Sequence, residues 1–120
     1  VAQAAQVLAG RNIQALWITG DNTALQAFDA IAKVSIDRRL PLINNDPEFV
    51  DRGVLACVGL GWYPAGQAAA KLAARVLLGQ KPQLLPIEEV AVKQLVLNHA
   101  VATKLGVKFP PNLVKEATAR

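Results

Sequence analysis

A short apolar run that ends abruptly in a polar turn, with helical spacing directly behind it, constrains this chain more than any other feature. The run is Ala15-Leu16-Trp17-Ile18, the turn is Thr19-Gly20-Asp21-Asn22-Thr23, and the periodic segment begins at Ala24. That succession reads as strand, loop and helix. Open parallel sheets bind ligands at loops on the carboxyl ends of their strands. The N–H groups at a helix start lack intrahelical partners and carry partial positive charge, which favours anions. Asp21, Asn22 and Thr23 are therefore candidates for a small-molecule binding edge. The competing reading is that Asp21 or Asn22 only caps the helix.

The rest of the chain repeats the theme. Val1, Ala4, Ala5 and Leu8 share helical spacing, stopped near Gly10, and Ile13 to Thr19 is the first strand, with Trp17 expected in the core. Asn22 to Arg39 reads as one helix that buries Leu25, Phe28, Ile31 and Ala32, and Pro41 marks its end. Leu42 and Ile43 form a short buried strand that runs into the polar turn Asn44-Asn45-Asp46-Pro47. Glu48 to Arg52 reads as a helical turn capped by Gly53. Val54 to Leu60 is continuously apolar, as expected of a strand covered on both faces.

After Gly59-Leu60-Gly61, the residues Trp62-Tyr63-Pro64 open another helix, which Gly79 ends. Ala69, Leu72, Ala73, Val76 and Leu77 are expected to be its buried face, close against the sheet. Glu89 to Leu97 reads as an edge strand. Asn98 caps a helix that Gly106 closes, and Asn112 to Ala119 forms a last short helix after Pro110-Pro111. The alternation of helices and strands predicts an α/β fold with a mostly parallel sheet flanked by helices.

Composition narrows the function classes. Hydrophobic residues make up 52% and charged residues 18% of the 120, which argues for a folded core rather than disorder. The net charge of +4 comes from basic residues scattered along the chain, with no basic stripe, so nucleic acid is not an expected partner. Cys57 is the lone cysteine and His99 the lone histidine, so neither an intrachain disulfide nor a cysteine- or histidine-built metal site is expected. No apolar run reaches the roughly 20 residues that span a bilayer. The start at Val1, inside a helical pattern, suggests a piece of a longer protein, so the missing signal peptide carries no information about compartment.

Catalytic motifs are equally sparse. Gly59 and Gly61 are followed by a third glycine only at Gly66, off the dinucleotide-binding spacing. Ser35 is the single serine and sits mid-helix, away from any nucleophile elbow. Asp21 and Asp46, at the ends of neighbouring strands, could perform acid–base work, hold magnesium, or hold a ligand's ammonium group. With no nucleophile or cofactor motif beside them, binding is the more economical reading, and no cofactor is expected.

These stretches together resemble the C-terminal part of an ABC-transporter substrate-binding protein of the tryptophan/tyrosine type, with the type I periplasmic binding fold. The matching pieces are Thr19-Gly20-Asp21-Asn22-Thr23, Pro41 to Asp46, Val50 to Ala56, Tyr63-Pro64-Ala65-Gly66, Ala73 to Pro82, and Leu97-Asn98 through Leu105-Gly106-Val107 to Pro110-Pro111. The resemblance implies a two-lobed, hinged protein that closes on a small ligand and delivers it to a membrane permease. It implies a periplasmic protein or a cell-surface lipoprotein. By the same resemblance, residues 1–60 belong to the C-terminal lobe, the helix within 61–80 packs on the N-terminal lobe, and 81–120 supply the last strand and helices. A piece cut this way is expected to seek a partner for its apolar helix, such as a second copy of itself.

The family pattern carries over to Asp21, Asn22 and Thr23 as a first ligand loop, to Asn45 and Asp46 as a second, and to Trp62 and Tyr63 as an aromatic pair. Gly61 stands where the family often has an acidic residue, and Gln67 where it often has arginine, so an aromatic amino acid is only the default ligand. Asp46 or Asp21 would hold an ammonium or other polar head group, oriented by Asn22, Thr23 and Asn45. Trp62 or Tyr63 would line an apolar pocket near the hinge. Against this, Trp62 would serve only hinge packing and Asp46 only the turn before Pro47. Two other classes remain open at this point: a type I ligand-sensing domain of a regulator or receptor, and a metal-dependent α/β enzyme built on Asp21 and Asp46.

Overall fold

A computed structural model describes residues 1–87 and 93–118. Helix α1 (Ala2–Ala9) leads into strand β1 (Leu16–Ile18), then α2 (Asn22–Gln26), α3 (Phe28–Asp37) and β2 (Leu42–Asn44). A 3-10 turn (Pro47–Arg52) precedes β3 (Ala56–Gly59) and the long helix α4 (Trp62–Leu77). A second 3-10 turn (Pro82–Leu84), strand β4 (Gln94–Leu97) and helices α5 (His99–Leu105) and α6 (Pro111–Glu116) complete the chain. No described helix is long and apolar enough to cross a membrane.

The four strands lie side by side in chain order. β1 pairs with β2, and β2 with β3, in parallel, whereas β4 runs antiparallel to β3. The mostly parallel sheet expected from the alternation is therefore present. β4 forms the expected edge, and Thr118 bridges it at Val96. The part of the expected Glu89–Leu97 strand within residues 88–92 lies outside the described residues, as does Ala119.

Several boundaries follow directly from side-chain chemistry. Asn98 Oδ1 accepts from Val101 N at 2.9 Å while its Nδ2 donates to the Val50 carbonyl at 2.9 Å, so one side chain caps α5 and ties it to the 3-10 turn. Gly106 (φ +71°) ends α5, Gly53 (φ +100°) ends the 3-10 turn, and both adopt the left-handed backbone that glycine favours. Ser35 is buried and spends its hydroxyl on the Leu40 carbonyl, closing the end of α3.

The single helix expected over Asn22–Arg39 is instead two. Ala27 leaves helical dihedrals (φ −98°, ψ +16°), and Phe28, the first residue of α3, is fully buried against Phe49 with ring centroids 4.6 Å apart. Arg52 clips this corner from outside. Its guanidinium lies over both rings, 5.2 Å from Phe28 and 4.8 Å from Phe49, and donates to Asp29 through Nε and Nη2.

One face of the sheet is closed, and the other is open over β1 to β3, while on β4 the same face buries Leu97. Leu16, Ile18, Leu42, Cys57 and Val96 point into a core shared with Ala5, Phe28, Ile31, Ala32, Val50 and Val54. Alternate residues point the other way, and there Trp17 is 72% exposed with Ile43 and Val58 exposed beside it. Trp17 is thus a surface residue and not core, and β3 is covered on one face, not two.

Helix α4 departs further from expectation. None of its residues is buried, and Leu77 is 87% exposed, so the stripe of Ala69, Leu72, Ala73, Val76 and Leu77 does not close against this sheet. The chain measures 56 × 34 × 20 Å with a radius of gyration of 17.9 Å. A compact chain of this length would have about 14 Å. Apolar spacing specifies that a helix has a face to bury, but it does not say which surface receives it.

Candidate functional site

The parallel pairing of β1, β2 and β3 brings their carboxyl ends to one rim. The loops that leave them, Thr19–Asp21, Asn45–Asp46 and Leu60–Gly61, therefore converge, and α4 begins there. Asp21 and Asp46, which follow adjacent parallel strands, share this rim.

An open cleft of about 490 Å3 occupies the rim. Gly20, Asn22 and Leu25 form one side, Asn45 and Asp46 the middle, and Val58, Gly59 and Leu60 the other side, with Trp62 and Ala65 of α4 closing the end. Its lining combines one carboxylate and two primary amides with four apolar side chains and an indole. That mixture suits a ligand with a polar head and an apolar body.

Asp46 is the most constrained of these groups. It is 8% exposed. Its backbone N–H donates to Asn44 Oδ1 at 3.0 Å, and its Oδ1 accepts from Glu48 N at 3.0 Å as the cap of the 3-10 turn. Its Oδ2 accepts from the Trp62 indole Nε1 at 3.0 Å. Asp46 is therefore both the turn residue before Pro47 and a lining group of the cleft.

Directly beneath lies Cys57, fully buried and in register with Asn44. Burial, assisted by the nearby Asp46 charge, pushes its thiol up to about 11 from 9.0. It stays a neutral packing residue at physiological pH.

The structure brings four of the seven predicted site residues together: Asn22, Asn45, Asp46 and Trp62. Asp21 caps α2, its Oδ1 accepting from Ala24 N at 2.8 Å, and it stands beside the cleft rather than in its lining. Thr23 is exposed on the first turn of α2. Tyr63 is 76% exposed and faces a shallow depression on the far side of Trp62, with Gly66, Gln67 and Ala70.

Leu25 packs against the core, as its spacing predicts, and also lines the cleft; nothing in its sequence context marks that second role, nor that of Ala65, an unremarkable helical alanine. Gly59, read from the sequence as part of the break that ends β3, also has a packing role. A Cβ on Gly59 would lie 1.7 Å from the Asn45 carbonyl oxygen, so the glycine lets the end of β3 press against the Asn45 loop. Gly59 thus serves a close backbone approach, in keeping with a Gly-x-Gly that falls off the dinucleotide-binding spacing.

Among the described residues, no three His, Cys, Asp or Glu side chains converge as metal ligands would. Asp21 and Asp46 each already accept hydrogen bonds that serve local structure.

Comparison with known proteins agrees with this geometry. Over 108 residues the chain is 29% identical to the tyrosine-binding protein of Clostridioides difficile (strain R20291), covering 90% of this chain and 31% of that protein. It superposes on the crystal structure of an ABC domain in complex with L-Trp from Streptococcus pneumoniae with a TM-score of 0.87 and 27% identity, covering 99% of this chain and 40% of that one. A conserved domain protein from Vibrio cholerae O1 biovar eltor str. N16961 gives a TM-score of 0.86 at 25% identity, with 98% and 40% covered. The chain therefore spans about a third to two fifths of the length of these relatives. The profile of the ABC transporter substrate binding protein family matches residues 1–120, from end to end, and the chain belongs to that family of binding proteins.

Proposed function

We propose that the cleft is one wall of an amino-acid site in the solute-binding component of an ABC importer. The observation that carries this reading is the convergence of Asp46, Asn22 and Asn45 with Leu25, Val58, Leu60 and Trp62 in a single cleft at the ends of parallel strands. A carboxylate flanked by amides suits an ammonium head group, and the apolar remainder suits a hydrophobic side chain. The similar proteins whose names mention tyrosine and L-Trp support an aromatic amino acid as ligand.

In this reading residues 1–60 contribute to one lobe, α4 within 61–80 lies against a second lobe, and 81–120 return to the first. The unburied face of α4 and the open cleft are what such a division would leave. The intact protein would work outside the cytoplasm, in the periplasm or as a cell-surface lipoprotein, and hand its ligand to a permease. In the 120-residue chain by itself, the uncovered stripe of α4 would draw two copies together, and light scattering would report the dimer.

Calorimetry on the intact protein tests the reading. L-tryptophan or L-tyrosine should bind with micromolar or tighter affinity, on the order of 8 kcal/mol. The isolated chain, with one wall of the site, should bind at least tenfold more weakly. An intact protein that binds neither amino acid overturns the proposal.

A further inference from the structure

We infer that Trp62 is a positioning residue for Asp46, and that its indole N–H, more than its ring, sets preference for a ligand carrying an ammonium group. This rests on the amino-acid reading above. Asp46 is held at three points by three different elements. The end of β2 holds its backbone through Asn44 Oδ1, the 3-10 turn holds Oδ1 through Glu48 N, and α4 holds Oδ2 through Trp62 Nε1.

The first two bonds are local, spanning two residues each, and form wherever the turn forms. The third spans sixteen residues and ties α4 to this carboxylate. It fixes the carboxylate's rotation about its last torsion, which the cap alone leaves soft.

The indole N–H is a donor without acceptor capacity, so it pairs with the ionised carboxylate and not with a cation. A hydrogen bond to a charged acceptor is stronger than a neutral one. Each carboxylate oxygen retains a further lone pair for a ligand donor, now in a set orientation. Most of the Trp62 surface meanwhile remains exposed, at 69%, so the residue is not held there by burial of its ring.

The test separates this role from ring packing. In the intact protein, calorimetry measures affinity for L-tryptophan and for 3-indolepropionate, which keeps the ring and carboxylate but lacks the ammonium. The readout is the ratio of the two affinities. W62F keeps an aromatic ring and loses the N–H, and it should lower that ratio about tenfold, the effect of losing one charge-assisted bond. Equal losses for both ligands, leaving the ratio unchanged, would mean that Trp62 only packs, and the inference fails while the amino-acid reading stands.

Where W62F folds, a double-variant cycle with D46N extends this arm; should it fold poorly, D46N alone serves through the Trp62 indole resonance. The W62F/D46N double variant should show the same ratio as D46N alone, because both changes remove one linked device. Full additivity overturns the inference. In D46N the indole N–H resonance of Trp62 should also shift while that of Trp17 stays; an unmoved Trp62 signal overturns it as well. A wild-type protein that binds neither L-tryptophan nor L-tyrosine removes the parent reading, and this one falls with it; where only L-tyrosine binds, the same ratio is read with L-tyrosine and 3-(4-hydroxyphenyl)propionate.

Discussion

The sheet's covered face and helix α4 carry the same kind of apolar pattern and meet opposite fates. Phe28, Leu42, Val54 and Cys57 are fully buried. Leu77 and Leu78, at the end of an equally well-patterned helix, are each 87% exposed. Burial is worth roughly 25 cal/mol per Å2 only when a receiving surface exists. The covered face has one in α1, α3 and the 3-10 turn, whereas α4 reaches away from the sheet and finds none among the described residues. Apolar periodicity therefore marks an obligation to bury, and the comparison shows that the obligation can be left open within one chain.

Three experiments would break or sharpen that contrast. The largest effect belongs to Phe28, whose ring is wedged between Phe49 and the Arg52 guanidinium. Phe28→Ala should cost about 4 kcal/mol in denaturant unfolding, through lost burial and the cavity left behind. A cost near that of a surface substitution would show that α3 is not seated as described.

The next effect is a pH dependence beneath the cleft. The Cys57 thiol is raised to about 11 in the folded protein against 9.0 when unfolded. Its contribution is complete below pH 9, because the thiol is then neutral in both states. It drains away as pH rises through 11, because the unfolded chain releases the proton first. The loss should amount to about 2 to 3 kcal/mol, and C57A should flatten this alkaline limb. An unchanged alkaline limb in C57A would assign it to other groups.

The smallest effect is expected on α4. Leu77→Ser in the isolated chain, diluted until light scattering reports a monomer, should change stability by less than about 0.5 kcal/mol, as for a surface site. In the intact protein the same change should cost about 2 kcal/mol if a second lobe covers the stripe. Equal effects in both settings would undo the proposed division into lobes.

Local signals were the most legible part of the chain. Asp21 does cap α2, Asn98 and Gly106 do bracket α5, and Gly53 does stop the 3-10 turn, because each rests on hydrogen bonds or dihedrals set by near neighbours. The site was half legible. Asn45 and Asp46 follow a recognisable strand-to-turn step, and Asn22 follows another, so parallel pairing was enough to bring them to one rim. Leu25 and Ala65 were hidden because a residue lining a cleft and one lining a core look alike in sequence. The break at Ala27 was hidden as well, since alanine favours helix and nothing local forbids continuing it.

What the sequence determined by itself was the alternation of elements, their caps, and the polar rim that parallel strands create, since these depend on contacts a few residues apart. Tertiary structure decided that Trp17 faces outward, that α4 leaves its apolar stripe uncovered, and that Trp62 reaches back sixteen residues to hold Asp46. The reason is that a side chain's burial and partners depend on which surfaces come together in space, and linear spacing records only that a surface exists.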